Sequence, residues 1–164
     1  MNARLYASRG TAATLALRAA ALSLLAAAIH LWVVPDHLEE WWGYGAFFVV
    51  LATAQGLYAL GLLRWPTRSI FLLGAAGNLA VAILWLVTRT TGVPLLGPHA
   101  GELEGVGVLD LACTLGEVGI VVVLGALAMR GLPTERRIQI AVVLAASSLL
   151  FWHLLHLLAR SSSH

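Results

Sequence analysis

His153 and His156 stand three residues apart, so on a helix both imidazoles project from one face. If their helix ends near Ala159, they sit roughly 5–9 Å below that end. His30 lies about 6 Å below the matching end of the first apolar segment, by the same rise. Neutral imidazole is the commonest transition-metal ligand, and polar side chains inside a membrane are functional suspects by default. Three imidazoles at one depth on two helices therefore read as the core of a metal site. Taken singly, each also reads as an interfacial histidine bonded to a neighbouring carbonyl.

Glu117 carries the second signal. It falls about 16 Å into an apolar segment, where a bare carboxylate costs about 2.5–3.5 kcal/mol even on the lenient insertion scale. Such a group must be protonated, paired or bound to a cation. Asp110, Thr114 and Glu117 follow i, i+4, i+7 spacing and form one polar stripe. Asn78 and Gln55 are the other polar side chains at mid-depth. A protonated Glu117 hydrogen-bonded to one of them is the plain alternative to a metal ligand or proton relay.

The run Pro35-Asp36-His37-Leu38-Glu39-Glu40-Trp41-Trp42 reads as a compact loop with four ionisable groups. It is a solvated connector with an aromatic anchor, or a ligand set above His30 in which His37 takes part. The Gly97-Pro98-His99 loop with Glu102 and Glu104 has the same two readings. The glycines Gly74, Gly77, Gly116, Gly119 and Gly125 fit close backbone packing. No Gly-rich phosphate loop follows a strand, and no GxSxG elbow is present. With the single cysteine, Cys113, there is no disulfide framework and no CxxC redox or zinc pair. Soft copper(I) chemistry prefers thiolate and thioether, and neither Cys113, Met1 nor Met129 is expected to lie with the histidines.

The elements that must position these groups are membrane helices. The chain is 60% hydrophobic and 11% charged over 164 residues, whereas soluble domains carry about 25% charged residues. Mean hydropathy is +0.87, and lipid is the solvent this implies. Roughly 20 apolar residues span a bilayer core, and five stretches qualify: Leu15–Val34, Tyr44–Leu63, Ser69–Thr88, Val106–Met129 and Ile138–Ala159. Pro35-Asp36, Arg64-Trp65-Pro66, Gly92-Val93-Pro94 and Gly131-Leu132-Pro133 supply the breaks. Short connections make consecutive helices antiparallel neighbours. The basic N-terminal stretch before the first segment resembles a signal peptide but lacks a clear small-residue cleavage site, so the segment reads as a retained helix.

All ten basic residues are arginines. With the N-terminus inside, eight of them (Arg4, Arg9, Arg18, Arg64, Arg68, Arg130, Arg136 and Arg137) fall on the cytoplasmic side, as positive-inside orientation requires. Five spans then place the C-terminus outside. The arginines flank apolar segments and form no basic stripe, so the pI near 9.2 does not indicate a nucleic-acid partner. In this frame every histidine and every carboxylate except Glu135 lies in the outer half or outer loops. The balance is +7 inside and −5 outside with histidines neutral, and the Arg rule says little about carboxylates and histidines.

The stretch His30-Leu-Trp-Val-Val-Pro-Asp-His37-Leu-Glu-Glu-Trp-Trp-Gly-Tyr-Gly-Ala-Phe-Phe, with Gln55 on the next helix, resembles a segment of small multi-pass membrane proteins from GC-rich, actinobacterial-type bacteria. The stretch from Gly97-Pro98 through Glu102, Glu104 and Asp110 to Glu117 resembles the same group. The resemblance covers most of the chain and implies a bacterial plasma-membrane location, with no activity attached. Asp36-His37-Leu38 is also similar to the Asp-His motif of nickel permeases, whose His-Pro element is missing here.

These readings converge on an all-α, polytopic transmembrane bundle of five helices, residues 1–164 forming one domain. The leading function is a membrane metalloprotein with zinc or copper(II), then iron, bound in the outer half of the bilayer. His30, His153 and His156 would bind it, with Glu117, Asp110 or His37 completing the shell and Asn78, Gln55 and Thr114 in support. Two alternatives come from other classes. One is a b-type haem or quinone-linked electron-transfer subunit. The other is a non-catalytic scaffold or assembly subunit, within a homo-oligomer or a larger membrane complex.

Overall fold

The computed structural model describes residues 2–93 and 97–130, with side chains from Gly10 onward. They form four α-helices, α1 (Asn2–Glu40), α2 (Trp42–Arg64), α3 (Arg68–Thr90) and α4 (Val108–Ala128). No strand occurs among the described residues. All four helices are long and apolar enough to cross a membrane, the span in α1 being Gly10–Glu40. The chain therefore has the character of a multi-pass helical membrane protein. The predicted fifth helix, Ile138–Ala159, and with it His153 and His156, lies outside the described residues.

Helices α2 to α4 match the apolar segments to within about two residues, but α1 does not stop where the sequence suggests. Pro35-Asp36 was expected to end the first helix, and instead Pro35 lies inside α1, which continues to Glu40. A helical proline removes one hydrogen bond and crowds the carbonyl four residues back, a loss membrane helices tolerate when nearby groups compensate. Beyond Pro35 the backbone bonding resumes, with Trp41 N–H on the His37 carbonyl at 3.0 Å. The His37 ring packs on Phe48 at 4.3 Å, and its Nδ1 donates to the Val33 carbonyl at 2.8 Å. The break falls at Trp41, which is extended.

The chain divides into two compact units. The first contains residues up to Trp85 and Val106–Ala128. Its core is a seam with one spacing on three helices. Its stripe runs through Ala16, Ala20, Ser23, Ala27 and His30 on α1, Ala52, Gln55, Ala59 and Leu62 on α2, and Cys113, Glu117, Ile120, Leu124 and Leu127 on α4, with Ala19, Ala26, Gly45 and Ala128 buried beside it. Alternating steps of three and four keep one stripe of each helix against its neighbours. Alanines on α1 let the backbones approach closely, and the larger Leu62, Ile120 and Leu124 fill the facing space with no exposure.

Both α2 and α4 run antiparallel to α1. Ser23 Oγ donates to the Gln55 carbonyl at 2.9 Å, the His30 ring sits 5.5 Å from Phe48, and His30 meets Glu117 while Ala16 and Ala20 share a cluster with Leu124 and Leu127. The outer faces are apolar: Leu57, Leu60, Leu115, Val122 and Leu25 are all exposed. Contiguous exposed apolar surface of this kind needs lipid or another apolar partner to cover it. On α3 only Gly74 and Asn78 are buried. Tyr58 ties α3 to α2 by donating to the Ile70 carbonyl at 3.2 Å, and its ring occupies the space that a Cβ on Gly74 would need.

The described part of the second unit is 86–93 and 97–105 with Met129 and Arg130. There Gly92, at φ +69, closes α3 by donating to the Val87 carbonyl, the left-handed ending that favours glycine. Arg89 pairs with Glu104 at 2.9 Å and His99 with Glu102 at 3.0 Å.

Candidate metal centre

The polar residues of the first unit's seam meet at one level. Glu117 lies nine residues beyond the start of α4, about 14 Å along its axis, and is 1% exposed. His30 reaches it from α1, Nε2 to Oε1 at 3.3 Å. Gln55 reaches it from α2, Nε2 donating to the same oxygen at 3.2 Å. One turn back on α4, Cys113 brings Sγ to 3.6 Å from His30 Nε2. All four side chains are buried. One atom each from His30, Cys113 and Glu117 lies within 4.8 Å of the others.

The separations fit two readings of this cluster, a hydrogen-bonded set and a set of metal ligands. A charge-assisted N–H···O bond runs about 2.7–2.9 Å, shorter than the His30–Glu117 contact. In a tetrahedral site with metal–nitrogen and metal–oxygen bonds of about 2.05 Å and a metal–sulfur bond of about 2.3 Å, the ligand–ligand edges are about 3.3 Å for N···O and 3.6 Å for S···N. The observed separations are 3.3 Å and 3.6 Å. Nitrogen, sulfur and oxygen donors together suit zinc and other borderline divalent ions. Gln55 donates to the same Glu117 oxygen that faces His30, so the amide fixes that oxygen's position with or without an ion.

One acceptor at the site is unmatched. Gln55 Oε1 is buried and has no hydrogen-bond partner among the described residues. Below the site, the seam toward the Arg18 and Arg64 end is closed by Ala16, Ala19, Ala20, Ala59, Leu62, Ile120 and Leu124, all buried.

Of the residues singled out by sequence, His30, Glu117 and Gln55 come together, and Gln55 is indeed the mid-depth partner of Glu117. Asn78 is not: its Nδ2 donates within α3 to the Gly74 carbonyl at 2.8 Å. Asp110 and His37 share faces with Glu117 and His30 but stand seven residues away along their helices, about 10 Å at the helical rise. Neither belongs to the ligand group. Asp110 accepts from Gly107 N–H at 3.2 Å, capping the start of α4. Thr114 is half-buried and outside the group. His153 and His156 lie outside the described residues.

The expectation that Cys113 stands apart from the histidines is overturned. Its signal was in the sequence, since Cys113 and Glu117 follow i, i+4 spacing and share a helix face. A lone thiol in an apolar run reads as a small hydrophobe, which conceals it. Ser23, seven residues before His30 on the same seam, was likewise missed. No family model, curated protein or solved structure matches this chain, so the functional reading rests on the geometry.

Proposed function

We propose that this protein is a multi-pass membrane metalloprotein in which His30, Cys113 and Glu117 bind one transition-metal ion. Zinc or copper(II) comes before iron, and the thiolate favours zinc. The observation that carries this is the match of the 3.3 Å and 3.6 Å separations to the edges of a tetrahedral site. The fourth position belongs to His153 or His156 from the predicted fifth helix, or to a ligand from outside the chain. The arginine distribution supports a site in the outer half of the membrane, with the N-terminus inside.

Among the alternatives, the haem reading gains no support from His30. Its Nε2 faces a carboxylate and a sulfur within 3.6 Å, where an axial ligand needs an open face for the macrocycle. The scaffold reading draws on the direct Gln55–Glu117 bond, which satisfies part of the carboxylate without any ion. Metal analysis of full-length protein purified in detergent separates the two. The metalloprotein reading expects close to one zinc, copper or iron per chain, and a metal-free protein that refuses these ions on titration overturns it.

A further inference from the structure

Three donor atoms leave one corner of a tetrahedron, and the unmatched acceptor belongs to the residue beside them. Gln55 is 6% exposed. Its Nε2 is fixed on Glu117 Oε1, so the amide oxygen, attached to the same carbon, is held next to the ligand group. A buried carbonyl oxygen without a donor is costly. The candidate donors close by are committed: Ser23 Oγ gives its proton to the Gln55 main-chain carbonyl, His30 Nε2 faces Glu117, and a metal-bound cysteine is a thiolate with no proton to give. Among the described residues no donor is left for it, which fits a partner that arrives with the metal.

Building on the metalloprotein reading above, we propose that the fourth position is held for an exchangeable ligand that carries a proton. In the resting protein this is water, bound to the metal and donating to Gln55 Oε1. Three protein donors plus water is the open pattern of reactive metal sites, whereas structural sites close with four protein donors. Gln55 thus selects the class of incoming ligand. It favours small molecules with both a lone pair for the metal and a hydrogen for the amide oxygen, such as water or a hydroperoxide. It disfavours anions that have lone pairs alone. His153 and His156 are then dispensable for metal retention.

The test uses the full chain in detergent, loaded with cobalt(II) and titrated with azide, which coordinates but has no proton to donate. Cobalt uptake with a near-ultraviolet thiolate band reports the ligand set, and the visible bands report the fourth position. The wild-type visible bands should move with azide. Gln55→Leu should keep the thiolate band and bind azide about fivefold more tightly, because the competing water has lost its acceptor. Bound cobalt whose spectrum ignores azide in the wild type means four protein donors. That overturns this inference and leaves the metal site standing. Azide binding unchanged or weakened in Gln55→Leu overturns the role of Gln55. Failure to take up cobalt at all overturns the metal site and this inference with it.

Discussion

His30 Nε2 and Glu117 Oε1 lie 3.3 Å apart although 87 residues separate them in the chain, and this contact defines where α1 and α4 meet in depth. It forms because both residues sit on the buried stripe of their own helix, His30 seven residues after Ser23 and Glu117 three before Ile120. Lipid cannot solvate either group, so each must find its partner inside the bundle.

Glu117 should therefore govern metal content more than any other carboxylate. Glu117→Gln keeps the size and a hydrogen-bonding partner for Gln55 but removes the anionic donor. Bound metal in the purified protein should fall at least tenfold while the helix content by circular dichroism is retained. Asp110→Asn, at the α4 cap and outside the ligand group, should leave metal content unchanged. Wild-type metal content in Glu117→Gln would remove this residue from the ligand set.

Cys113→Ser should weaken zinc by about 10- to 100-fold, comparable to losses that even outer-shell changes produce, and abolish the cobalt–thiolate band. Metal competition with a chromophoric chelator measures the affinity. All three donors bind a metal in deprotonated form, so acid competes for the same lone pairs. Affinity should fall as pH falls, and the slope should be shallower in Cys113→Ser because one proton fewer is displaced. A parallel pH profile in the two proteins would mean that the thiol is only a packing group.

The helices were legible because apolar length is a strong signal: α2, α3 and α4 begin and end near the chain's own breaks at Arg64, Arg68 and Thr90. Pro35 misled because a proline rule learned from isolated helices ignores what flanks it, here the His37 ring on Phe48 and its bond to Val33. At the site, charge made Glu117 and His30 visible, and Gln55 followed as the carboxylate's need for a donor. Cys113 and Ser23 stayed hidden because their small side chains blend into an apolar run. Their seam became recognisable only when three helices shared the same three-and-four spacing. Asp110 and His37 had the right face and the wrong height, a distinction that periodicity around a helix does not supply.

The seam also predicts where stability resides. Ala59 has no exposure and lies in the cluster with Ala16, Ala20 and Leu124, so Ala59→Leu must push the helices apart. Overpacking of this kind costs about 1–3 kcal/mol, read as a lowered unfolding midpoint in mixed detergent and dodecyl sulfate. Leu57→Ala, on the exposed face of the same helix, should shift that midpoint by less than about 0.5 kcal/mol. Equal effects at the two positions would show that α2 is not oriented as described.

The proposed orientation rests on the arginines and is open to direct test. Arg18 lies toward the start of the α1 span, Arg64 and Arg68 flank the α2–α3 turn, and Arg130 follows α4 by two residues. Among the described arginines, Arg89 stands apart in the last turn of α3. Short arginine-rich connections stay in the cytoplasm, so the turn at Trp65-Pro66-Thr67 should be inside and the His30–Cys113–Glu117 level nearer the outside. A reporter active only outside the cytoplasm, fused after His164, should be active if the segment Ile138–Ala159 makes a fifth span. The same reporter inserted at Pro66 should be silent. Activity at Pro66 would invert the protein and expose the site to the cytoplasm. Silence at both positions would leave the four described spans and remove the fifth, and with it any path for His153 or His156 to the metal.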